Sequence, residues 1–179
     1  MEEIPVEHWD EIVDINLKGV IYGTSAAYKH MIKQGSGHIV NTASLAGLVP
    51  SPLLSPYSAT KFAVVGLSDS LRVEAQKTGV KVTALCPGFI ESRIYDSARY
   101  SGGLNAEIGR DQIPMMVPLE EGVDKLLKGV VKGKRVVTLP LYGYVFWYGY
   151  RATPVIGIKL SGFLARRQLK AAAKAGPKR

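Results

Sequence analysis

Two short β-branched runs, at residues 38–43 and 80–86, each follow a longer segment of helical period. This alternation constrains the fold more than any other feature of the chain. In residues 7–33, Trp9, Ile12, Val13, Asn16 and Val20 recur at steps of three and four, which makes one stripe of an amphipathic helix. Gly35-Ser36-Gly37 ends that helix. Residues 56–76 again read as helix, with Phe62, Val65, Leu67 and Leu71 among the apolar positions, and Thr78-Gly79 closes it. The run VKVTALC then stops sharply at Pro87-Gly88, the mark of a buried strand. An irregular stretch, 89–118, precedes a further helix at 119–132 and a last strand at 135–139. Strands separated by helices imply right-handed crossovers, so the expectation is an α/β chain. Its parallel sheet should have about three strands, with helices covering both faces. In such sheets ligands bind beyond the carboxyl ends of the strands. Here those ends read NTAS and CPG, and they should lie side by side.

With 179 residues, 46% of them hydrophobic, the chain can bury a core. One cysteine, Cys86, excludes a disulfide framework and a multi-cysteine metal site, and fits a reducing, cytoplasmic setting. His8, His30 and His38 lack ligand spacing, so no metal is expected. The formal net charge of +8 is unevenly placed: no Asp or Glu follows Asp124, whereas lysines and arginines continue to Arg179. Residues 140–179 therefore read as an aromatic and basic extension to a domain at 1–139. The uncharged run 136–150 is shorter than the roughly 20 apolar residues a transmembrane helix needs. A peripheral membrane contact through 140–179 is one reading. Closure of a pocket or a subunit interface is the other, and no sweep of helical amphipathicity spans the whole tail. No reader motif accompanies the charge, which argues against nucleic acid.

Chemistry is concentrated between Ser44 and Lys61. A Tyr-x-x-x-Lys pair such as Tyr57–Lys61 arises about 0.7 times by chance in this composition, so it carries meaning only in company. On a helix the two share a face, and an ammonium there is expected to lower the phenol from about 10 towards neutrality. A phenol so tuned can act as a general acid or base. Ser44, at the end of the preceding strand, can hydrogen-bond a substrate oxygen. Asn16 falls in the middle of an apolar stripe, where a buried amide needs a partner.

Asn16 within DINLKG, Ser44 within IVNTAS, Tyr57 and Lys61 within YSATK, and PGFIES after the next strand resemble the short-chain dehydrogenases/reductases. The resemblance runs from residue 3 to about 139 and implies a partial Rossmann-like, doubly wound fold. It implies that Tyr57 is the acid/base, that Ser44 orients a carbonyl or alcohol, that Lys61 binds the nicotinamide ribose, and that Asn16 holds a water in a proton relay. Pro87, Gly88, Ile90 and Ser92 would line the nicotinamide, with Ser92 where the family often has Thr. The implied reaction is hydride transfer between NAD or NADP and a carbonyl/alcohol pair. Ile113, Met115, Met116 and Val117 and the aromatic tail suggest a small lipophilic substrate. Helices 7–33 and 56–76 resemble the pair through which the family forms homo-oligomers. The family's Gly-rich strand–turn–helix does not precede residue 7, so only the nicotinamide half of the cofactor site is expected. The chain alone is then expected to be an inactive fragment with an exposed strand edge. A non-catalytic dimerisation module and a peripheral membrane protein are the alternatives.

Overall fold

The computed structural model describes residues 4–94 and 116–175. Its order is α1 (Val6–Val13), a π-helical turn (Asp14–Lys18), α2 (Gly19–Gln34), β1 (Gly37–Thr42), α3 (Ser55–Glu74) and β2 (Val80–Pro87), followed by α4 (Leu119–Val131) and β3 (Val136–Leu139). Two further helices follow, α5 (Tyr142–Ala152) and α6 (Pro154–Ala175). The three strands form one parallel sheet in the order β1-β2-β3. This is the α/β architecture expected from the alternation. The helix expected over 7–33 is interrupted by the π turn, and Asn16 lies within that turn.

One face of the sheet is filled by α2 and α3. Val64 is fully buried and Val65 nearly so, in a cluster with Ala84, Cys86 and Val136. Leu71, Ile39, Val80 and Val82 continue the layer towards the other end of the strands. Beneath it lies a buried polar chain: Thr24 donates to Asn41 at 2.9 Å, and Asn41 donates to Ser68 at 3.1 Å. These bonds tie α2, β1 and α3 together, and each buried polar group has the partner its burial requires. The other face is only half covered. α4 packs Leu126 against Val137 and Ile90, over the β2–β3 side. Among the described residues no helix covers the β1 side of that face, and Val40 is left 37% exposed. The expectation of helices on both faces therefore holds for β2 and β3 and fails for β1.

Beyond β3 the tail forms two helices, although its sequence shows no continuous amphipathic sweep. Trp147 of α5 is buried in the main core cluster, so the start of the extension belongs to the body. Of the irregular stretch 89–118, residues 95–115, including Ile113 and Met115, lie outside the described residues. Val117 bridges to Ile90 and, partly buried, packs against the α4 core.

Candidate active site

Three constraints place the site at the carboxyl end of the sheet. Beyond β1, Ser44 caps a short 3-10 turn (Leu45–Gly47): its hydroxyl accepts from the Ala46 amide at 3.1 Å and donates to the Pro87 carbonyl at 3.4 Å. The first turns of α3 are held against this loop by Ser58, which donates to the Ala46 carbonyl at 2.7 Å. Gly47 makes the approach feasible, since a Cβ there would lie 2.5 Å from the Lys61 carbonyl oxygen. Glycine is needed here for close backbone contact rather than for an unusual dihedral angle. The β2 terminus is fastened on its far side, where the Gly88 amide donates to the Leu139 carbonyl at 2.7 Å. The two strand ends thus stand side by side, as their sequences suggested.

Ser44, Tyr57 and Lys61 converge in this corner. The Tyr57 phenol is half-buried and lies beside Ser44. Lys61 is 7% exposed, with its ammonium donating to the Thr42 carbonyl at 3.0 Å and lying 5.5 Å from the centre of the Tyr57 ring. That position does not activate the phenol. Burial raises Tyr57 above the ordinary phenol range, against a smaller downward pull from the neighbouring Ser44 side chain. Burial likewise lowers Lys61. The expected lowering of Tyr57 by Lys61 is therefore reversed in this chain: the charge faces the ring and the β1 carbonyl, and desolvation dominates.

The remaining candidates divide. Pro87 and Gly88 are half-buried at the β2 end and contact the Ser44 loop, since a Cβ on Gly88 would meet Leu45 at 3.3 Å. Ile90 is buried with Leu126 and Val137, so its side chain serves the core. Ser92 is exposed, and its hydroxyl accepts from the Ile94 amide at 3.4 Å. Asn16 is half-exposed rather than buried, and among the described residues its amide makes no hydrogen bond. It sits on the π turn, an arrangement frequent at functional sites. Sequence reading passed over Gly47 and Ser58, which position the others; the small-residue run ASLAG was the signal for Gly47, and the serine of YSATK for Ser58.

The arrangement can orient an oxygen between a hydroxyl and a phenol while a cation stands by. Lys61 has three donor hydrogens and one protein acceptor, which suits a vicinal pair of hydroxyls such as a ribose presents. Among the described residues no Gly-rich loop meets a helix N-terminus in the way a pyrophosphate requires.

Comparison with known proteins bears on the fold and the family. An uncharacterized oxidoreductase of Staphylococcus epidermidis is 41% identical over 87 residues, which cover 49% of this chain and 38% of that protein. A counterpart in Staphylococcus aureus is 43% identical over 89 residues, covering 50% and 38%. The matched region thus spans well under half of these curated relatives. In fold, the chain resembles a short-chain dehydrogenase from Sphingobium yanoikuyae solved with NADPH, with a TM-score of 0.70 at 24% identity, covering 91% of this chain and 59% of that one. A bulky-bulky ketone specific alcohol dehydrogenase from Comamonas testosteroni gives 0.68 at 23% identity, covering 86% and 55%. The sequence model of the short chain dehydrogenase family matches residues 1–101, more than half of the chain, and the protein belongs to that family.

Proposed function

We propose that this chain carries the proton-transfer half of an NAD(P)-dependent oxidoreductase that interconverts a carbonyl and an alcohol. The observation that carries this reading is the meeting of the Ser44 hydroxyl, the Tyr57 phenol and the buried Lys61 ammonium beyond the ends of a parallel sheet. The relatives named oxidoreductases and the neighbour solved with NADPH support it. Bound nicotinamide would supply or accept the hydride. Ser44 would orient the substrate oxygen by donating its hydroxyl proton, which Pro87 holds only weakly at 3.4 Å. Tyr57 would donate the proton to that oxygen during reduction and recover it during oxidation. Lys61 would hold the ribose hydroxyls, and once turned towards the phenol it would offset the burial that now raises the Tyr57 pKa. Asn16, Pro87, Gly88, Ile90 and Ser92 are proposed to complete the water relay and the nicotinamide surface, with Ile90 acting through its backbone. The substrate is proposed to be a small lipophilic carbonyl or alcohol.

The chain by itself should bind NAD(P)H weakly, because the pyrophosphate has no cradle among the described residues. Fluorescence titration of the isolated chain with NADH and NADPH measures this, and tight saturable binding would sink it. In a protein where this chain follows a Gly-rich dinucleotide-binding segment, Tyr57→Phe should cut kcat by about 10³-fold while leaving circular dichroism unchanged. Undiminished turnover would remove Tyr57 from the chemistry. We also propose self-association through α1–α2 and α3, whose outer faces leave Ile15 68%, Tyr22 68% and Val73 65% exposed. Loss of a dimer by Tyr22→Glu, read by sedimentation, is the expected outcome.

A further inference from the structure

Helix α6 is built inside out. Its half-buried positions, turned towards the body, are Gly157, Ser161, Gly162 and Ala165. Four of its large apolar side chains point away: Ile156 is 63% exposed, Leu160 54%, Phe163 51% and Leu164 47%. At 100° per residue these four share one sector of about 100°, the width of a helix face that ordinarily seats on a core. The side facing α3 does not seat tightly either. A groove of about 520 Å³ runs between Pro50, Ser55 and Phe62 on one wall and Ile158 and Ser161 of α6 on the other. Helix α5 adds Val145 and Phe146, 68% and 52% exposed, on its outer side.

Charge identifies what covers this face. Lys159, Arg166 and Lys170 run along one edge of the apolar sector, Arg167 rises from within it and stands over the Phe163 ring at 5.9 Å, and no acidic residue occurs anywhere after Asp124. Long basic side chains beside exposed apolar ones let the stems lie on hydrocarbon while the charges reach anionic headgroups. A second copy of the chain would bring this all-basic surface against itself, which repels. A strand added at the free edge of β1 would lie on the side of the sheet away from β3 and α5, so it would not cover this face. Among the described residues no helix is long and apolar enough to cross a membrane. The face can therefore lie on a bilayer without entering it as a span.

We propose that α5 and α6 dock the protein on an anionic lipid surface, with the Ile156–Leu160–Phe163–Leu164 face in the headgroup region and the basic side chains on the lipid phosphates. The purified chain should sediment with vesicles of phosphatidylcholine mixed with phosphatidylglycerol, bind pure phosphatidylcholine far less, and come off as salt rises. The double variant R166Q/R167Q removes two exposed charges without disturbing the core, and should weaken partition by about 10- to 30-fold. Phe163→Ser with Leu164→Ser should weaken it as well, even on strongly anionic vesicles. Absence of vesicle binding by the folded parent chain would overturn the proposal. So would binding that neither double variant alters. Concentration-dependent self-association that the Phe163/Leu164 variant abolishes, without any lipid binding, would assign the face to a second copy instead.

Discussion

Helices α3 and α6 are of similar length, 20 and 22 residues, and they treat their side chains in opposite ways. Helix α3 buries Val64, Val65 and Leu71 and takes Thr60, Lys61 and Ser68 inside with them. Each of those three polar groups has an acceptor: Thr60 the Tyr57 carbonyl, Lys61 the Thr42 carbonyl, and Ser68 the Val64 carbonyl. Helix α6 turns glycine, serine and alanine inward and presents isoleucine, leucine and phenylalanine outward. Burial drives both arrangements. Only the first finds its apolar surroundings inside this chain, and it accepts a desolvated cation where chemistry is proposed. The contrast teaches that the site is held by a well-packed helix, while the tail is shaped for a neighbour.

The widest gap between the two helices should appear on truncation. Val64→Ala, at a fully buried position, should cost about 2 kcal/mol, whereas Leu160→Ala, at 54% exposure, should cost under about 0.5 kcal/mol. Urea denaturation followed by circular dichroism measures both, and equal losses would end the comparison. Glycines give the next largest contrast. Gly47→Ala drives a Cβ to 2.5 Å from the Lys61 carbonyl oxygen and should destabilise by about 1–3 kcal/mol. Gly162→Ala meets nothing nearer than Arg166 at 3.9 Å and should gain up to about 1 kcal/mol from helix propensity.

Lys61→Met tests whether α3 carries its cation at a cost. The buried ammonium is lowered by desolvation and faces no carboxylate, so the variant should match the parent in stability or exceed it by about 1 kcal/mol. A clear loss of stability would make Lys61 structural. The smallest effect concerns His38, whose Nε2 lies 2.8 Å from the Thr83 hydroxyl. Thr83 donates to the Lys134 carbonyl at 2.7 Å, so the imidazole Nε2–H donates to Thr83. Burial, then Lys81 and Arg72, lower its pKa in the fold. A depressed folded value means the contribution is present above about 6.5 and is lost as pH falls through the folded pKa. The urea midpoint should therefore drop between neutral and mildly acidic pH by more in the parent than in His38→Gln.

The order of helices and strands was legible because burial on a sheet imposes periods that α3 and β2 both display. The convergence of Ser44 with Tyr57 and Lys61 was legible through spacing, since a strand end and the first turn of the next helix must meet across one loop. Four features were not. The direction of Tyr57's shift depends on where the Lys61 ammonium points, and i, i+4 spacing fixes only the shared face. Ile90 belongs to a motif by position, yet its side chain turns to the α4 core, which a linear string does not encode. Helix α6 escaped because Arg167 falls inside its apolar sector while Ile158 and Leu169 fall outside it, which blurs the helical period. Asn16 joined an apolar stripe on an ideal helix, but the π turn widens the backbone at that point and leaves the amide half-exposed.

The free edge of β1 has a consequence for exchange with solvent. The Ala43 amide donates to the Leu85 carbonyl at 2.7 Å, so Ala43, Asn41 and Ile39 direct their backbone groups to β2. The intervening His38, Val40 and Thr42 direct theirs outward, where the described residues offer one partner, the Lys61 ammonium on the Thr42 carbonyl. Deuterium should therefore enter β1 with a two-residue rhythm, fast at His38, Val40 and Thr42 and slow between them. A strand laid along that edge would silence the rhythm at His38 and Val40 first, and would have to compete with Lys61 for the Thr42 carbonyl.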